Sequence, residues 1–377
     1  MKIQFSDNDK HLNFAPLTLT RPVAKLRLGM LTIEETWQRL LNFSKTDTFY
    51  QTESYLQTLF PADETADYHI AANCKPGVTL IQEIQSLQNN QSLYLNNEWI
   101  CTKGEKNANR IDSLCKTSIL LHEIWDLFQK NEAAAKIDFN LLTKDKQSAL
   151  ISDSNQVMGS ENIFVAPGAK IECAILNGNT GPIYIDKDAE VMEGAIIRGP
   201  FYLGEHSTVK MGAKIYGATT IGPECKVGGE ISNCILQGYS NKGHDGFIGN
   251  SVIGEWCNLG ADTNSSNLKN NYGKLKIHSY KTKTLVQTDN IFCGVMMGDH
   301  SKTGINTMLN TATVIGVSAN VFGGGFPPKY IPSFSWGLND QFKFDKAIEV
   351  ATNMMKRRNI TLSPADIDLL KYLYQTV

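Results

Sequence analysis

A six-residue repeat of aliphatic side chains is the feature that most constrains how this 377-residue chain can fold. In the second half of the sequence an aliphatic residue recurs every six positions, at Ile185, Val191, Ile197, Leu203, Val209, Ile215, Ile221 and Val227. The period begins at Val165 and Ile171, and it resumes at Phe247, Ile253 and Leu259 and again from Ile291 to Val321. A period of six fits neither an α-helix nor a simple hairpin. It predicts a parallel β-helix whose triangular coils stack these side chains in the core.

The glycines locate this repeat within the chain. Of the 30 glycines, 26 lie between Gly159 and Gly325, where tight corners need small residues. We therefore predict an α/β domain over residues 1–150, a β-helix over 160–326 and C-terminal helices over 338–377. Three stretches that break the period, 172–184, 228–246 and about 262–290, are expected to be loops that leave the coils.

Elements outside the repeat are predicted from local patterns. "MKIQF" and "YHIAAN" indicate strands, and "LTIEETWQRLLNF" indicates a helix in which Thr32 and Glu35 have the spacing of a capping box. Residues 118–142 predict one long helix or two short ones. After the coils an amphipathic helix is expected over 339–359, and a last helix begins with Ser363 as N-cap and a proline at its first position.

Composition excludes several classes of protein. Lys+Arg 36 against Asp+Glu 38 gives a net charge of −2, which argues against general binding to nucleic acid or membrane surfaces. The sequence shows no secretory signal and no apolar run long enough for a membrane span. The eight cysteines include no C-x-x-C pair and are expected to be buried thiols of a reducing compartment. We therefore expect a soluble cytoplasmic protein.

His244 is the residue that suggests chemistry. It lies in a glycine-rich tract, and its residue type alone leaves three interpretations open: a general base, a zinc ligand, or a structural histidine that caps a corner. His206, His278 and His300 are the other histidines available for a zinc site, but no two of them lie at a short spacing. A neutral imidazole with a pKa of roughly 6.5 suits a general base at cytoplasmic pH.

The stretch "GHDGFIGNSVIGEWCNLGADTNSSN" resembles the acetyltransferase domain of bifunctional N-acetylglucosamine-1-phosphate uridyltransferases, the GlmU family. In that family a histidine in a Gly-His context is the general base, which implies that role for His244. Asparagines 14 and 23 residues later help to bind the substrates there, and these offsets fall on Asn258 and Asn267. The family's tyrosine three residues after the histidine is Phe247 here.

The resemblance also implies two phosphate-binding cations. The family's lysine in the following loop corresponds to Lys274 or Lys269. Its arginine on an earlier coil corresponds to Arg198, the only arginine among the coils.

The segment "FAPLTLTRPVAKLRLGMLTIEETW" resembles the "PLT…RPK" segment and first helix of sugar-1-phosphate nucleotidyltransferases. This implies that Thr18, Arg21 and Lys25 contact a nucleoside triphosphate, and that Asn73 corresponds to the aspartate that holds Mg²⁺. The glycine-rich loop of that family is replaced here by "SDNDKHLNFA". The domain is also short, so we expect a truncated version.

Together, these resemblances imply a truncated nucleotidyltransferase-like α/β domain, a left-handed parallel β-helix of hexapeptide repeats, and C-terminal helices. They imply an enzyme that acetylates an amino-sugar 1-phosphate from acetyl-CoA. It would then join the product to UTP or dTTP with Mg²⁺, in UDP-N-acetylglucosamine synthesis, as a homotrimer with sites between subunits. Two alternatives stay open: an acetyltransferase with a vestigial N-terminal domain, or a non-catalytic trimeric scaffold.

Overall fold

A computed structural model describes residues 1–105 and 109–376 of the chain. Its longer helices are α1 (Ile33–Leu41), α2 (Val78–Ser86), α3 (Asp126–Thr143), α4 (Phe344–Lys356) and α5 (Pro364–Gln375). Within the described residues, none of the helices is both long enough and apolar enough to cross a lipid bilayer.

The N-terminal part is a mixed α/β unit built on one sheet, as predicted. In spatial order the described strands are Thr48–Gln51, Ile3–Ser6, Tyr68–Ala71, Glu98–Lys103, Gln91–Leu95 and Asn109–Asp112. The first three are parallel, and Glu98–Lys103 is antiparallel to both of its neighbours. Two short antiparallel pairs lie beside this sheet: Arg27–Leu28 with Leu31–Thr32, and Cys74–Lys75 with Ile119–Leu120.

Helix α1 begins at the predicted capping box. Thr32 Oγ1 accepts a hydrogen bond from Glu35 N, and the Glu35 carboxylate accepts one from Thr32 N. Amides that no helical carbonyl can satisfy are thereby paired. Trp37 of α1 is fully buried, and its indole N–H donates to the carbonyl oxygen of Cys74 at 2.7 Å.

The other helices agree with the sequence predictions to different degrees. Residues 118–142 contribute to a single helix, α3, which starts only at Asp126 because Ile119–Leu120 pair as a strand. Helix α5 begins as predicted at Ser363, whose hydroxyl accepts a hydrogen bond from Asp366 N.

The middle of the chain forms a β-helix with three faces. Face I contains Gln156–Met158, Ile175–Asn177, Ile196–Arg198, Lys214–Tyr216, Glu230–Ser232 and Phe247–Gly249. Face II contains Ile163–Val165, Ile183–Ile185, Phe201–Leu203, Thr219–Ile221, Ile235–Gly238, Val252–Glu255, Met296–Met297, Val314–Ile315 and Tyr330–Ile331. Face III contains Lys170–Ile171, Glu190–Val191, Thr208–Val209, Lys226–Val227, Asn241–Lys242, Asn258–Leu259, Lys302–Thr303, Asn320–Val321, Ser335–Trp336 and Asp340–Gln341.

Successive coils pair in parallel, apart from the last pair of face III. This confirms the predicted left-handed parallel β-helix. The strand Asn264–Ser265 pairs in parallel with Met308–Leu309. A hairpin of Lys276–Ser279 and Thr284–Gln287 leaves the coils within the third predicted loop.

The interior of the β-helix is the predicted aliphatic core, with two corrections. The run from Ile185 to Val227 is buried in one cluster, as the period requires. Phe247 and Ile291, however, are outside it: Phe247 is half-buried on the outer side of face I, and Ile291 is 42% exposed. The coils after Val227 are shorter than three six-residue repeats, which shifts the inward positions. Those positions are Ile231, Leu236, Lys242 and Ile248.

The stretch 228–246 is therefore not a loop. It contains the strands Glu230–Ser232, Ile235–Gly238 and Asn241–Lys242, one on each face.

The corner between faces II and III is turned by residues with left-handed backbone conformations. Tyr239, Trp256 and His300 occupy this corner in three successive coils with φ of 53°, 60° and 60°. Such values are uncommon for residues that carry a side chain, so the stacking of the coils must hold them.

Two faces of the β-helix are covered by the rest of the chain. On face II, Phe164, Tyr184 and Tyr202 pack against Met30 and Ala135 of the N-terminal part. On face III, the corner residue Trp256 packs against α4.

Residues 1–105 and 109–376 leave face I largely uncovered. Met158, Ile196, Tyr216 and, on the continuing strand, Met308 are each 38–42% exposed.

The buried pair Lys75–Asp138 yields a stability prediction. Both side chains are fully buried with Nζ and Oδ1 2.9 Å apart, and Asp138 Oδ2 also accepts from Met30 N and Leu31 N. Lys75→Met leaves the Asp138 carboxylate without its cation, so the free energy of unfolding should fall by about 3–5 kcal/mol in urea denaturation. Lys136→Met on the exposed side of α3 is the control, and an equal effect of both would contradict the prediction.

Candidate functional site

His244 lies in the turn that joins face III to face I. The turn runs between the strands Asn241–Lys242 and Phe247–Gly249, and the imidazole is exposed. Among the described residues, none forms a hydrogen bond or ion pair with the His244 ring. The exposed ring is therefore open to a ligand, whereas a corner-capping histidine would hydrogen-bond to the backbone.

His244 lines a cavity of about 560 Å³ between face III and α4. The outward ladder of face III supplies one wall, because Lys226 pairs with Asn241, Asn241 with Asn258, and Asn258 with Lys302. The corner aromatics and α4 supply the opposite side. The further lining residues include Lys210, Tyr239, Trp256, Asn353, Met354, Arg357 and Arg358.

Two carboxamides of face III share this cavity with His244, in addition to Asn353 of α4. Asn258 is there as the sequence predicts, and Asn241 was not predicted. Asn241 Oδ1 is buried and has no hydrogen-bond partner among the described residues, so it can accept a hydrogen bond from a ligand. Asn241 aligns with Asn258 because the coils here are shorter than three six-residue repeats. The six-residue period therefore does not predict this alignment.

The lining of the cavity is strongly basic. It includes Lys210, Lys226, Lys302, Arg357 and Arg358, and none of the described lining residues is acidic. Arg358 pairs with Glu224 at 3.0 Å, outside the lining. Burial lowers the pKa of Lys302 to about 8, and its ammonium donates to the carbonyl oxygen of His300 at 2.7 Å. The basic lining therefore favours an anionic ligand.

The aromatic residues at the corner between faces II and III form one wall of the cavity. Trp256 stacks on Tyr239 with ring centroids 4.3 Å apart and on His300 at 6.4 Å. Trp256 also packs against Ala351 and Met355 of α4, which fixes the helix over the face.

The four histidines of the zinc interpretation lie at different places. His300 is buried behind Trp256, and burial lowers its pKa to about 3. His278 stacks on Tyr330 in the hairpin, with ring centroids 3.7 Å apart, and His206 is exposed beside Glu205 at another coil. None of the three lines the cavity with His244.

The remaining acetyl-transfer candidates are not brought to His244 within one chain. Asn267 donates from Nδ2 to Asn250 Oδ1 at 2.7 Å, at the far end of face I. Lys274 pairs with Asp289 in the long loop, and Lys269 Nζ donates to the carbonyl oxygen of Lys274.

Arg198 is exposed on face I, where it pairs in register with Asn177.

The four nucleotide-binding candidates have partners inside the protein. Thr18 Oγ1 donates to the carbonyl oxygen of His11 at 2.6 Å, and Lys25 Nζ lies 2.9 Å from Glu34. Asn73 is buried, and its Nδ2 donates to the carbonyl oxygen of Leu121.

Arg21 joins the two halves of the chain. Its guanidinium pairs with Asp299 and, at 2.8 Å, with Glu255, both on face II or at its corner. The two carboxylates outweigh burial and raise the pKa of Arg21 above its ordinary value.

Side chains of the segment that replaces the glycine-rich loop form hydrogen bonds within the N-terminal part. Asp7 Oδ1 accepts from Val23 N, and Oδ2 lies 3.0 Å from His11 Nδ1. His11 Nε2 lies 3.2 Å from the Tyr55 hydroxyl, and Tyr55 stacks on Tyr372 of α5.

Comparisons with known proteins support both resemblances. Residues 3–147 match a family model described as sugar nucleotidyl transferase. The bifunctional protein GlmU of Picosynechococcus sp. is 26% identical over 163 residues, which cover 42% of this chain and 29% of that protein. The bifunctional sugar-1-phosphate nucleotidylyltransferase/acetyltransferase of Sulfurisphaera tokodaii is 30% identical over 146 residues, covering 38% of this chain and 36% of that protein.

The chain thus spans about a third of the length of these curated relatives. Among solved structures, the polySia-specific acetyltransferase NeuO aligns with 55% of this chain and 100% of its own. The sequence identity is 13% and the TM-score is 0.27, which is too low to support a further comparison.

A substitution at Arg21 tests whether this residue stabilises the fold or binds a nucleotide. Arg21→Met leaves Asp299 and Glu255 without their cation, so the free energy of unfolding should fall by about 3–5 kcal/mol. Arg39→Met, on the exposed side of α1, should change it by less than about 0.5 kcal/mol. A stable Arg21→Met protein that has lost affinity only for a nucleoside triphosphate would contradict the structural role.

Proposed function

We propose that the cavity at His244 transfers an acetyl group from acetyl-CoA to the amino group of a sugar 1-phosphate, with glucosamine 1-phosphate as the first candidate. One observation carries this proposal: a free, outward imidazole shares a basic cavity with the carboxamide of Asn258. The similarity to GlmU proteins supports the same chemistry.

In the proposed reaction His244 moves one proton. The sugar ammonium first loses one proton to solvent, and the amine nitrogen then attacks the thioester carbonyl while the neutral imidazole accepts the second proton that the nitrogen loses. The new C–N bond forms, the tetrahedral intermediate expels the CoA sulfur as the C–S bond breaks, and the imidazolium returns its proton to the thiolate. General-base assistance of this kind contributes roughly 10²–10⁴-fold to the rate. The carboxamides of Asn241 and Asn258 would orient the sugar hydroxyls or the acetyl group.

The cations of the cavity fit the phosphates of both substrates. A sugar 1-phosphate and CoA are each anionic, and charge-assisted hydrogen bonds from Lys226, Lys302 and Arg357 would hold such groups. A scaffold without catalytic function would not need a basic cavity beside an unpaired imidazole.

A second reaction, transfer of a nucleotidyl group from UTP or dTTP to the acetylated sugar phosphate, rests on the family match over residues 3–147. It would release pyrophosphate and need Mg²⁺. Asn73 supplies no carboxylate for Mg²⁺, and its Nδ2 is used in a hydrogen bond to the carbonyl oxygen of Leu121, so it differs from the aspartate that holds the ion in that family. The internal partners of Thr18, Arg21 and Lys25 favour the alternative, in which acetyl transfer is the activity and the N-terminal part is a structural module.

We further propose that three chains pack through face I in the cytoplasm. The exposed Met158, Ile196 and Tyr216 would be covered in such a trimer, and Arg198 on the same face would meet a neighbouring chain. Asn267 and Lys274 would then act on a neighbour's substrate, not on that of their own chain.

Thiol release from acetyl-CoA in the presence of glucosamine 1-phosphate tests the acetyl-transfer proposal. His244→Ala should lower kcat by about 10²–10⁴-fold, because the proton has no acceptor. His206→Ala, another exposed histidine of the coils, is the control and should retain the wild-type rate. Absence of thiol release across several amino-sugar phosphates would instead favour the scaffold.

The basic wall can be tested separately. Lys226→Met should raise KM for a phosphorylated substrate about 10–100-fold with little change in kcat, since a charge-assisted hydrogen bond contributes about 1.5–3 kcal/mol. Lys170→Met, an exposed lysine in the same face three coils earlier, should leave KM unchanged. Equal KM values in the two variants would show that Lys226 does not bind the phosphate of the substrate.

A further inference from the structure

Lys242 is a charged residue in the aliphatic core. It pairs in register with Val227 on face III, and both side chains point into the β-helix. Lys242 is fully buried, whereas every other step of this row from Ile171 to Leu259 is Val, Ile or Leu. Burying an ammonium is costly unless its donors are used, so this lysine needs a specific explanation.

The ammonium of Lys242 binds three backbone carbonyl oxygens. Nζ donates to the carbonyl oxygen of Asp245 at 2.9 Å, to that of Gly228 at 3.3 Å, and to that of His244. Since an ammonium has three N–H donors, all of them are used.

The three carbonyls belong to two successive coils. Gly228 lies in the turn of the preceding coil, and His244 and Asp245 lie in the turn that carries the imidazole. Backbone pairing continues on either side: Glu230 N donates to the carbonyl oxygen of Gly246, and Asp262 N to that of Asp245. Among the described residues, the hydrogen bond that the His244 carbonyl oxygen accepts comes from Lys242 alone.

We propose that Lys242 is a positioning residue, which fixes the backbone of His244 from inside the β-helix and so sets the direction of the imidazole in the cavity. This inference rests on the proposed function, in which His244 is the general base. An aliphatic residue at position 242 would fill the core equally well, but it would leave the turn attached to the preceding coil only through its flanking residues.

Lys242→Met is the direct test, because methionine fills a similar space in an aliphatic row and donates no hydrogen bond. We expect the protein to remain folded, with kcat for thiol release reduced about 10–100-fold and KM within about twofold of the wild-type value. Leu236→Met, at an inward position of face II in the same coil, is the matched control and should keep the wild-type kcat.

A spectroscopic readout separates positioning from general stability. With ring-labelled histidine, the seven imidazoles can be followed by NMR, and the His244 signal is identified by its loss in His244→Ala. In Lys242→Met this signal should shift or split, whereas the His300 signal should stay in place. An unmoved His244 signal together with a wild-type kcat would overturn the inference.

A second variant at position 242 tests the same inference if the first does not fold. Should Lys242→Met fail to fold, Lys242→Leu is the second variant; leucine occupies the next step of the same row and donates no hydrogen bond, so it should show the same loss of kcat and the same shift of the His244 signal. A folded Lys242→Leu protein with an unmoved His244 signal and a wild-type kcat would also overturn the inference. If His244→Ala retains full activity, the proposed function fails, but the His244 signal still decides whether Lys242 positions that ring.

Discussion

The parallel stacking of short strands is the interaction on which the rest of this structure depends. Each coil satisfies its backbone by pairing with the coils before and after it, and inward aliphatic rows exclude water along the axis. This stacking holds Tyr239, Trp256 and His300 in left-handed conformations that their side chains disfavour, and the aromatic rings then stack on one another. The wall of the cavity is thus a consequence of the coil geometry.

A triangular coil has three outer faces, and in this chain each face has different neighbours. Face II receives the N-terminal part, partly through the ion pairs of Arg21 with Glu255 and Asp299. Glu255 precedes Trp256, so these ion pairs lie next to the wall of the cavity. Face III and α4 enclose the basic cavity. Face I remains free for the proposed assembly of three chains.

Much of this fold could be predicted from the sequence because the six-residue period, the capping box at Thr32 and the N-cap at Ser363 are local signals. The failures have a common physical cause. Where coils are shorter than three six-residue repeats, the period no longer identifies the inward position. Phe247 was therefore predicted in the core in place of Ile248, and Lys242 was overlooked. For the same reason Asn241 was missed, since its alignment with Asn258 depends on register. The roles of Arg21 and Asn73 could not be predicted either, because their partners lie far away in sequence.

A structure of the chain with CoA and glucosamine 1-phosphate would test the central claim most directly. The measured quantity is the distance from the sugar amino nitrogen to the nearer imidazole nitrogen of His244. We predict a hydrogen bond of roughly 2.6–3.2 Å, with the phosphate of the sugar or of CoA against Lys226, Lys302 or Arg357. Both substrates bound at another face of the β-helix, with His244 facing only solvent, would contradict the proposed mechanism.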